Sequence, residues 1–342
     1  MLFSAAAPPG GRRRNYLNES RQDPNPPQRT RRWIAKDRDN LTVISEFFLL
    51  GFQGSQYLRN VLFFQFLILF GATICGNLLI IVLVSTSKIL HTPMYFFISQ
   101  LSLSDILLTT NITPKMLHIL LNNGGAITFT GCLTQFYFFG FTLNFVCFLL
   151  PAMSYDRYVA VCNPLRYISI MRSVFCIQLV ALCWMMGFVG SLILTVPSSQ
   201  FHYCGANIDH LYCDIVPLLK LACSNAFIVQ IELYVIGSPF IFSQILIVVV
   251  FYTCIVLAVL RISTSTGRQK AFSTCSSHLI VVFIFYWTIV IVYVFPIKGQ
   301  TSTISKVVSL LYTVFTPLMN PIIYSLRNKD IKKAVQQTLR KH

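Results

Sequence analysis

An all-α bundle of seven membrane-spanning helices is what the sequence predicts, on three observations. Apolar residues make up 55% of the chain and charged residues 11%, where a soluble domain carries about 25% charge. Segments 60–87, 116–155, 173–208, 233–260, 271–297 and 307–326 contain no Asp, Glu, Lys or Arg, and 93–114 contains only Asp105. A spanning helix needs about 20 apolar residues, so each of these seven stretches holds one. The third observation is that most basic residues outside the N-terminus lie between the stretches. This composition argues against a disordered chain and against an ordinary cytosolic enzyme.

Residues 1–39 are rich in Pro, Arg and Asn and read as a disordered extension. Residues 40–59 lead into the bundle, and the seven-span core occupies 60–325. Spans are predicted at 60–84, 93–116, 132–155, 174–197, 231–259, 271–295 and 303–325. The connection 198–230 is long and carries Cys204, Cys213 and Cys223, which marks it as more than a linker. Beyond the last span, Leu326, Ile331, Ala334, Val335 and Leu339 form one apolar face of a short helix in the tail 326–342. Lys332 and Lys333 face away from it, as suits a helix lying on a membrane surface.

Orientation follows from the basic residues. Lys88, Arg157, Arg166, Arg172, Arg261, Arg268 and Lys270 fall in alternate connections, and six more Lys and Arg follow the seventh span. The other connections hold Lys220, Lys298 and Lys306. The positive-inside rule then puts the C-terminus in the cytoplasm and, with seven spans, the N-terminus outside. Nine of the 27 basic residues lie within 1–40 and vote the other way, but the loops and tail outweigh them. The net charge of +16 does not read as a nucleic-acid surface, because it is not gathered on one folded face.

On the outer side, Asn40-Leu41-Thr42 is an N-glycosylation acceptor. Of eleven cysteines, Cys132, Cys204, Cys213 and Cys223 lie on that side, where disulfides persist. Four cysteines allow three pairings. A zinc site would need reduced thiolates at tight spacing and is the weaker reading.

Polar groups inside a span mark packing or function. Asn77, Asp105 and Asn320 lie at comparable depths in spans one, two and seven and are expected to form one inner cluster. Pro321 follows Asn320 and loosens its helix. Asp156 and Arg157 sit at the cytoplasmic end of span three. Catalysis is not expected, since no hydrolytic constellation lies at membrane depth, and Cys275 with His278 is weak evidence. A channel or transporter is the rival class, yet neither a charged ring nor a repeated broken helix is evident.

Five motifs in order then resemble a known family: Pro93-Met94-Tyr95-Phe96-Phe97 with Leu101-Ser102-Leu103-Ser104-Asp105; Met153 through Cys162 with Asn163-Pro164-Leu165; Lys270 through Leu279; and Pro317 through Tyr324. Over about 40–335 the chain is similar to vertebrate odorant receptors of the rhodopsin-like G-protein-coupled class, and more to the land-vertebrate group than to the fish-like one.

The resemblance implies roles. Asn77, Asp105 and Asn320 are the inner polar partners. Asp156, Arg157 and Tyr158 form the cytoplasmic lock. Tyr252, Pro321 and Tyr324 belong to the activation machinery, and Lys270 and Ser273 to the G-protein surface. Cys132 is paired with Cys213, and Cys204 with Cys223. Three departures stand out: Val146 replaces a Glu and weakens any sodium site near Asp105; Pro151 stands where a small residue is usual; Phe251 replaces a Ser before Tyr252.

The implied ligand pocket comprises Phe139, Gly140, Leu143 and Asn144 on span three, and Ile236 and Phe240 on span five. It continues with Tyr286, Ile289, Val290 and Tyr293 on span six and Thr313 on span seven. No acidic residue is among them, which favours a small hydrophobic, volatile molecule with one polar end over an amine. The implied function is odorant binding at the plasma membrane, with activation of a stimulatory G protein of the olfactory type and a rise in cyclic AMP. Membrane lipid surrounds the bundle, and no cofactor or nucleic-acid partner is expected. A receptor of the same family acting outside the nose is the alternative.

Overall fold

The computed structural model describes residues 44–223, 231–261, 265–294, 302–327 and 329–339. The segment 1–39 and Asn40 lie outside the described residues, as do the side chains of Lys270, Ser273, Leu326 and Leu339. Helices α1 (Gln56–Thr86), α2 (Pro93–Asn122), α3 (Phe129–Cys162) and α4 (Ser173–Ser199) are continuous. Helix α5 (Ser238–Leu260) is preceded by a π turn at Glu232–Gly237, and α6 (Ser265–Ile289) runs into another at Val290–Val294. Helix α7 comprises Ser302–Leu310, a π turn at Leu311–Phe315, and Thr316–Arg327; α8 (Lys329–Leu339) follows it.

Each predicted span is helical over its described residues; α1, α3 and α4 extend beyond both predicted ends and α2 beyond its second. Among the described residues, five helices are long and apolar enough to cross a membrane by length and hydropathy alone. Helix α2 falls outside that set because Ser102, Ser104, Asp105, Thr109 and Thr113 lower its hydropathy, yet all five are buried. Of these, Asp105 accepts from Asn320 of the last span and Thr109 donates to Asp105 O within its own helix, which offsets part of the lost hydration. In α6 the apolar stretch His278–Tyr293 is shorter.

Lipid-facing side chains such as Phe64, Ile68, Leu182, Leu246 and Phe283 are exposed, while α3 is central and buries much of its length. Gly187 of α4 lets the helices close up: a Cβ there would lie 3.0 Å from the backbone oxygen of Phe141. Below it, Trp184 stacks on Phe145 with ring centroids 3.7 Å apart. On α8, Ile331 and Ala334 are buried and Lys332 and Lys333 exposed, which gives the predicted amphipathic face.

A small sheet caps one end, and the sequence reading did not foresee it. Strand β1 (Glu46–Leu49) lies between β2 (Gly125–Thr128), antiparallel, and β3 (Asn207–Ile208), parallel. Helix α2 leads into β2 through Asn123, whose φ of 53° is left-handed, and Gly124 at φ +112°. A side chain at Gly124 would collide with the Phe48 ring at 2.6 Å. Phe47 packs between Phe129 and Tyr203 and joins the sheet to the top of α3.

Candidate functional site

Two disulfides mark the capped end. Cys132 at the start of α3 bonds Cys213, with Cα atoms 5.5 Å apart, and Cys204 bonds Cys223, at 5.4 Å. The first ties the long connection to α3. Gln135 reinforces the tie: its side-chain oxygen accepts from Cys213 N–H at 3.0 Å, while its amide donates to Asn111 O in α2 at 3.1 Å.

Beneath this roof lies a mainly apolar cavity of about 100 Å³. From the predicted pocket, Phe139, Gly140, Leu143 and Asn144 of α3 line it, as do Phe240 of α5, Ile289 of α6 and Tyr293 in the π turn that follows. Four predicted residues lie elsewhere. Ile236 is 57% exposed on the lipid side of the π turn before α5, and Gly237 and Ser238 take its place in the lining. Tyr286 is buried and donates to Cys147 O at 2.8 Å. Thr313 is buried and donates to Ser309 O in its own helix at 2.9 Å. Val290 is half-buried and packs on the core.

The expectation that the pocket holds no acidic residue is corrected. Asp214 lines the cavity because it follows Cys213, which the disulfide draws onto α3. Its Oδ1 accepts from its neighbour Ile215 N–H at 2.7 Å and from Tyr293 O–H at 3.1 Å. Burial pushes the Asp214 carboxyl up to about 6, against the lowering effect of those two hydrogen bonds. The Tyr293 hydroxyl also meets that of Tyr312 at 3.1 Å, and Tyr312 bonds Tyr212 in turn. This chain of phenols links the long connection to α6 and α7.

A second polar set sits nearer the sheet. Lys306 of α7 is buried, donates to Gly51 O at 2.7 Å and pairs with Asp209. His210 contacts Tyr212 O at 3.2 Å and Ser309 Oγ at 3.3 Å. Burial pulls the His210 imidazole down to about 4, and the Lys306 charge adds to that.

Toward the other end, Asn320 Nδ2 donates to Asp105 Oδ2 at 2.8 Å. Asn77 lies close by but donates to backbone oxygens, Thr73 O at 2.9 Å and Pro317 O at 3.1 Å. The predicted cluster is therefore two linked contacts onto α7 rather than three side chains bonded in one ring. Val146 lines the space beside Asp105 and Asn320 with an apolar side chain, so a second carboxylate for a cation is missing there. Among the described residues, no group of three His, Cys, Asp or Glu side chains is placed to hold a metal.

At the far end of α3, Arg157 pairs with Asp156. Asp156 also accepts from Tyr167 O–H at 2.8 Å, a partner the sequence reading missed. Tyr158 packs against Phe251, with ring centroids 5.4 Å apart. Tyr252 bonds His278 of α6, and Tyr324 is buried on α7 beyond Pro321.

A sequence profile of the olfactory receptor family matches residues 64–342. Mouse olfactory receptor 5AP2 is 46% identical over 301 residues, covering 88% of this chain and 95% of that receptor. Human olfactory receptor 5AP2 is 45% identical over 304 residues, covering 89% and 96%, and human olfactory receptor 5G3 is 44% identical over 301, covering 88% and 96%. The crystal structure of squid rhodopsin superposes with a TM-score of 0.67 at 17% identity, covering 84% of this chain and 87% of that one, a likeness of fold. Seven helices in this order, with the matching profile and relatives, make the chain a multi-pass membrane protein that belongs to the olfactory receptor family, a family of receptors rather than enzymes.

Proposed function

We propose that this chain is an odorant receptor of the plasma membrane, with the disulfide end outside and the Arg157 end in the cytoplasm. In that orientation residues 1–39 and 40–59 are extracellular, Asn40 is available for glycosylation, 60–325 form the receptor domain and 326–342 the cytoplasmic tail. The observation that carries the reading is the pairing of an apolar cavity at one end with the Asp156–Arg157–Tyr167 cluster at the other.

The cavity suits a small hydrophobic odorant with one polar end. Its walls are mainly apolar, and Asp214, Tyr293, Asn144 and Ser191 supply the polar atoms. Asp214 accepts hydrogen bonds, so a ligand with a hydroxyl or amino group gains from it. A ligand shifts the receptor only by its differential affinity for the active arrangement. Movement of α6 away from α3 frees Arg157 from Asp156. The cytoplasmic surface, with Lys270 and Ser273, then engages a stimulatory G protein of the olfactory type and raises cyclic AMP. The two sites are distinct, so their coupling is allosteric.

The test reads cyclic AMP and surface level together against a panel of small volatile compounds, with Arg157→Ala as control. A dose-dependent rise that needs Arg157 supports the reading. A receptor that reaches the surface yet stays silent across the panel, also with a promiscuous G protein, overturns it.

A further inference from the structure

Two helices of the bundle contain a proline that exposes a backbone carbonyl to a neighbouring helix. Proline has no N–H, so the carbonyl four residues earlier loses its helical partner. In α7, Pro321 leaves Pro317 O free in this way, and Asn77 of α1 donates to it at 3.1 Å. In α3, Pro151 leaves Cys147 O free, and the Tyr286 hydroxyl of α6 donates to it at 2.8 Å.

The second contact has a special location. Cys147 and Tyr286 are both buried, where an unpaired polar group carries a desolvation penalty. Cys147 also lines the odorant cavity, so the contact lies at the cavity wall. It joins α3, which carries Arg157, to α6. With an N–H at residue 151, the Cys147 carbonyl would be satisfied within its own helix, and the hold on Tyr286 would weaken.

We propose that Pro151 and Tyr286 form a latch: the proline frees the Cys147 carbonyl, and the Tyr286 hydroxyl closes on it and holds α6 against α3. A ligand that shifts the cavity wall at Cys147 opens the latch and favours the signalling arrangement. The gating half of this statement rests on the receptor function proposed above; the hydrogen-bonded half does not.

The experiment is a double-mutant cycle on the full chain with Pro151→Ala, Tyr286→Phe and the double variant. Thermal unfolding of purified receptor reads the bond, and basal cyclic AMP per surface receptor reads the gate. Tyr286→Phe should lower the melting temperature in the wild-type background and much less in the Pro151→Ala background. Basal cyclic AMP should rise about fivefold in Tyr286→Phe, the equilibrium worth of one buried hydrogen bond. It should rise less in Pro151→Ala, and the two effects should not add. Additive melting shifts overturn the latch. Coupled melting shifts with unchanged basal cyclic AMP, in a receptor whose odorant response needs Arg157, overturn the gate. Should the wild-type receptor reach the surface and answer no ligand, the receptor reading fails, and the melting cycle still decides whether the latch exists.

Discussion

At the Arg157 end, partners one and eleven residues apart meet within and beside α3, as Asp156 joins Arg157 and Tyr167. At the disulfide end, Lys306 reaches a carbonyl 255 positions away, and Tyr212 meets Tyr312 across 100. The Asp156 cluster at the first end is assembled from near neighbours in sequence. The second requires a long connection to be folded back and fixed, and its geometry stands or falls with the ties that hold it. Changes at the Arg157 end should therefore act on signalling with little effect on the cavity. Changes at the disulfide end should act on stability and ligand choice together.

The largest effect should come from the Arg157 end. Arg157→Ala should abolish the odorant-dependent rise in cyclic AMP while surface level stays within about twofold, because Asp156 keeps the hydrogen bond from Tyr167 O–H when the ion pair is lost. A silent receptor that is also absent from the surface would break the contrast. Next, Cys132→Ser should cost about 2–5 kcal/mol of stability and sharply reduce surface level, as loss of a native disulfide does elsewhere. Flow cytometry of tagged receptor checks it. Lys306→Met should lower stability by about 1–3 kcal/mol, since Gly51 O loses its buried donor and Asp209 its cation. Thermal unfolding reads that change.

A finer test uses pH. The Asp214 carboxyl is raised to about 6, so the folded chain binds that proton more tightly than the unfolded one, and stability from this group falls as pH rises between about 4 and 6. The His210 imidazole is lowered to about 4, so the unfolded chain binds its proton more tightly, and stability from this group rises with pH between about 4 and 6.5. The two slopes oppose each other. Relative to wild type, Asp214→Asn should melt at increasingly higher temperature as pH rises over that window, and His210→Asn should show the reverse trend. Equal slopes for both variants would remove the burial argument for both groups. The smallest effect is expected at Ile236, whose side chain faces outward: Ile236→Ala should shift the half-maximal odorant concentration by less than about twofold, whereas Phe240→Ala, in the cavity wall, should shift it by about tenfold.

How far the sequence could be read follows the same division. The six charge-free stretches, with 93–114 interrupted only by Asp105, give the helices because lipid tolerates little else, and Asp105 with Asn320 was legible from matched depth. Asp156 and Arg157 are adjacent, so their pairing needed no fold. Ile236 was misplaced because it lies inside a π turn, which changes the facing of its side chains, and hydrophobicity does not distinguish the two faces of a lipid-bathed helix. Asp214 was visible only as a loop charge. Its signal was the preceding Cys213: once that cysteine is tied to the top of α3, the next residue must hang over the cavity. Strand β1 gave no signal of its own, since Glu46–Leu49 is short and its partners come from two distant connections. Lys306 likewise read as a loop charge until Gly51 and Asp209 closed around it.

The central place of β1 in its sheet sets an order on biosynthesis. A ribosome delivers Glu46–Leu49 before any of the seven helices, yet β3 at Asn207–Ile208 emerges only after the fourth has been made. Until then one edge of β1 is unpaired, and its backbone groups must find water or a chaperone. The lid over the cavity is thus begun first and finished late, and its roof closes only once the fourth helix and the strand beyond it have been made.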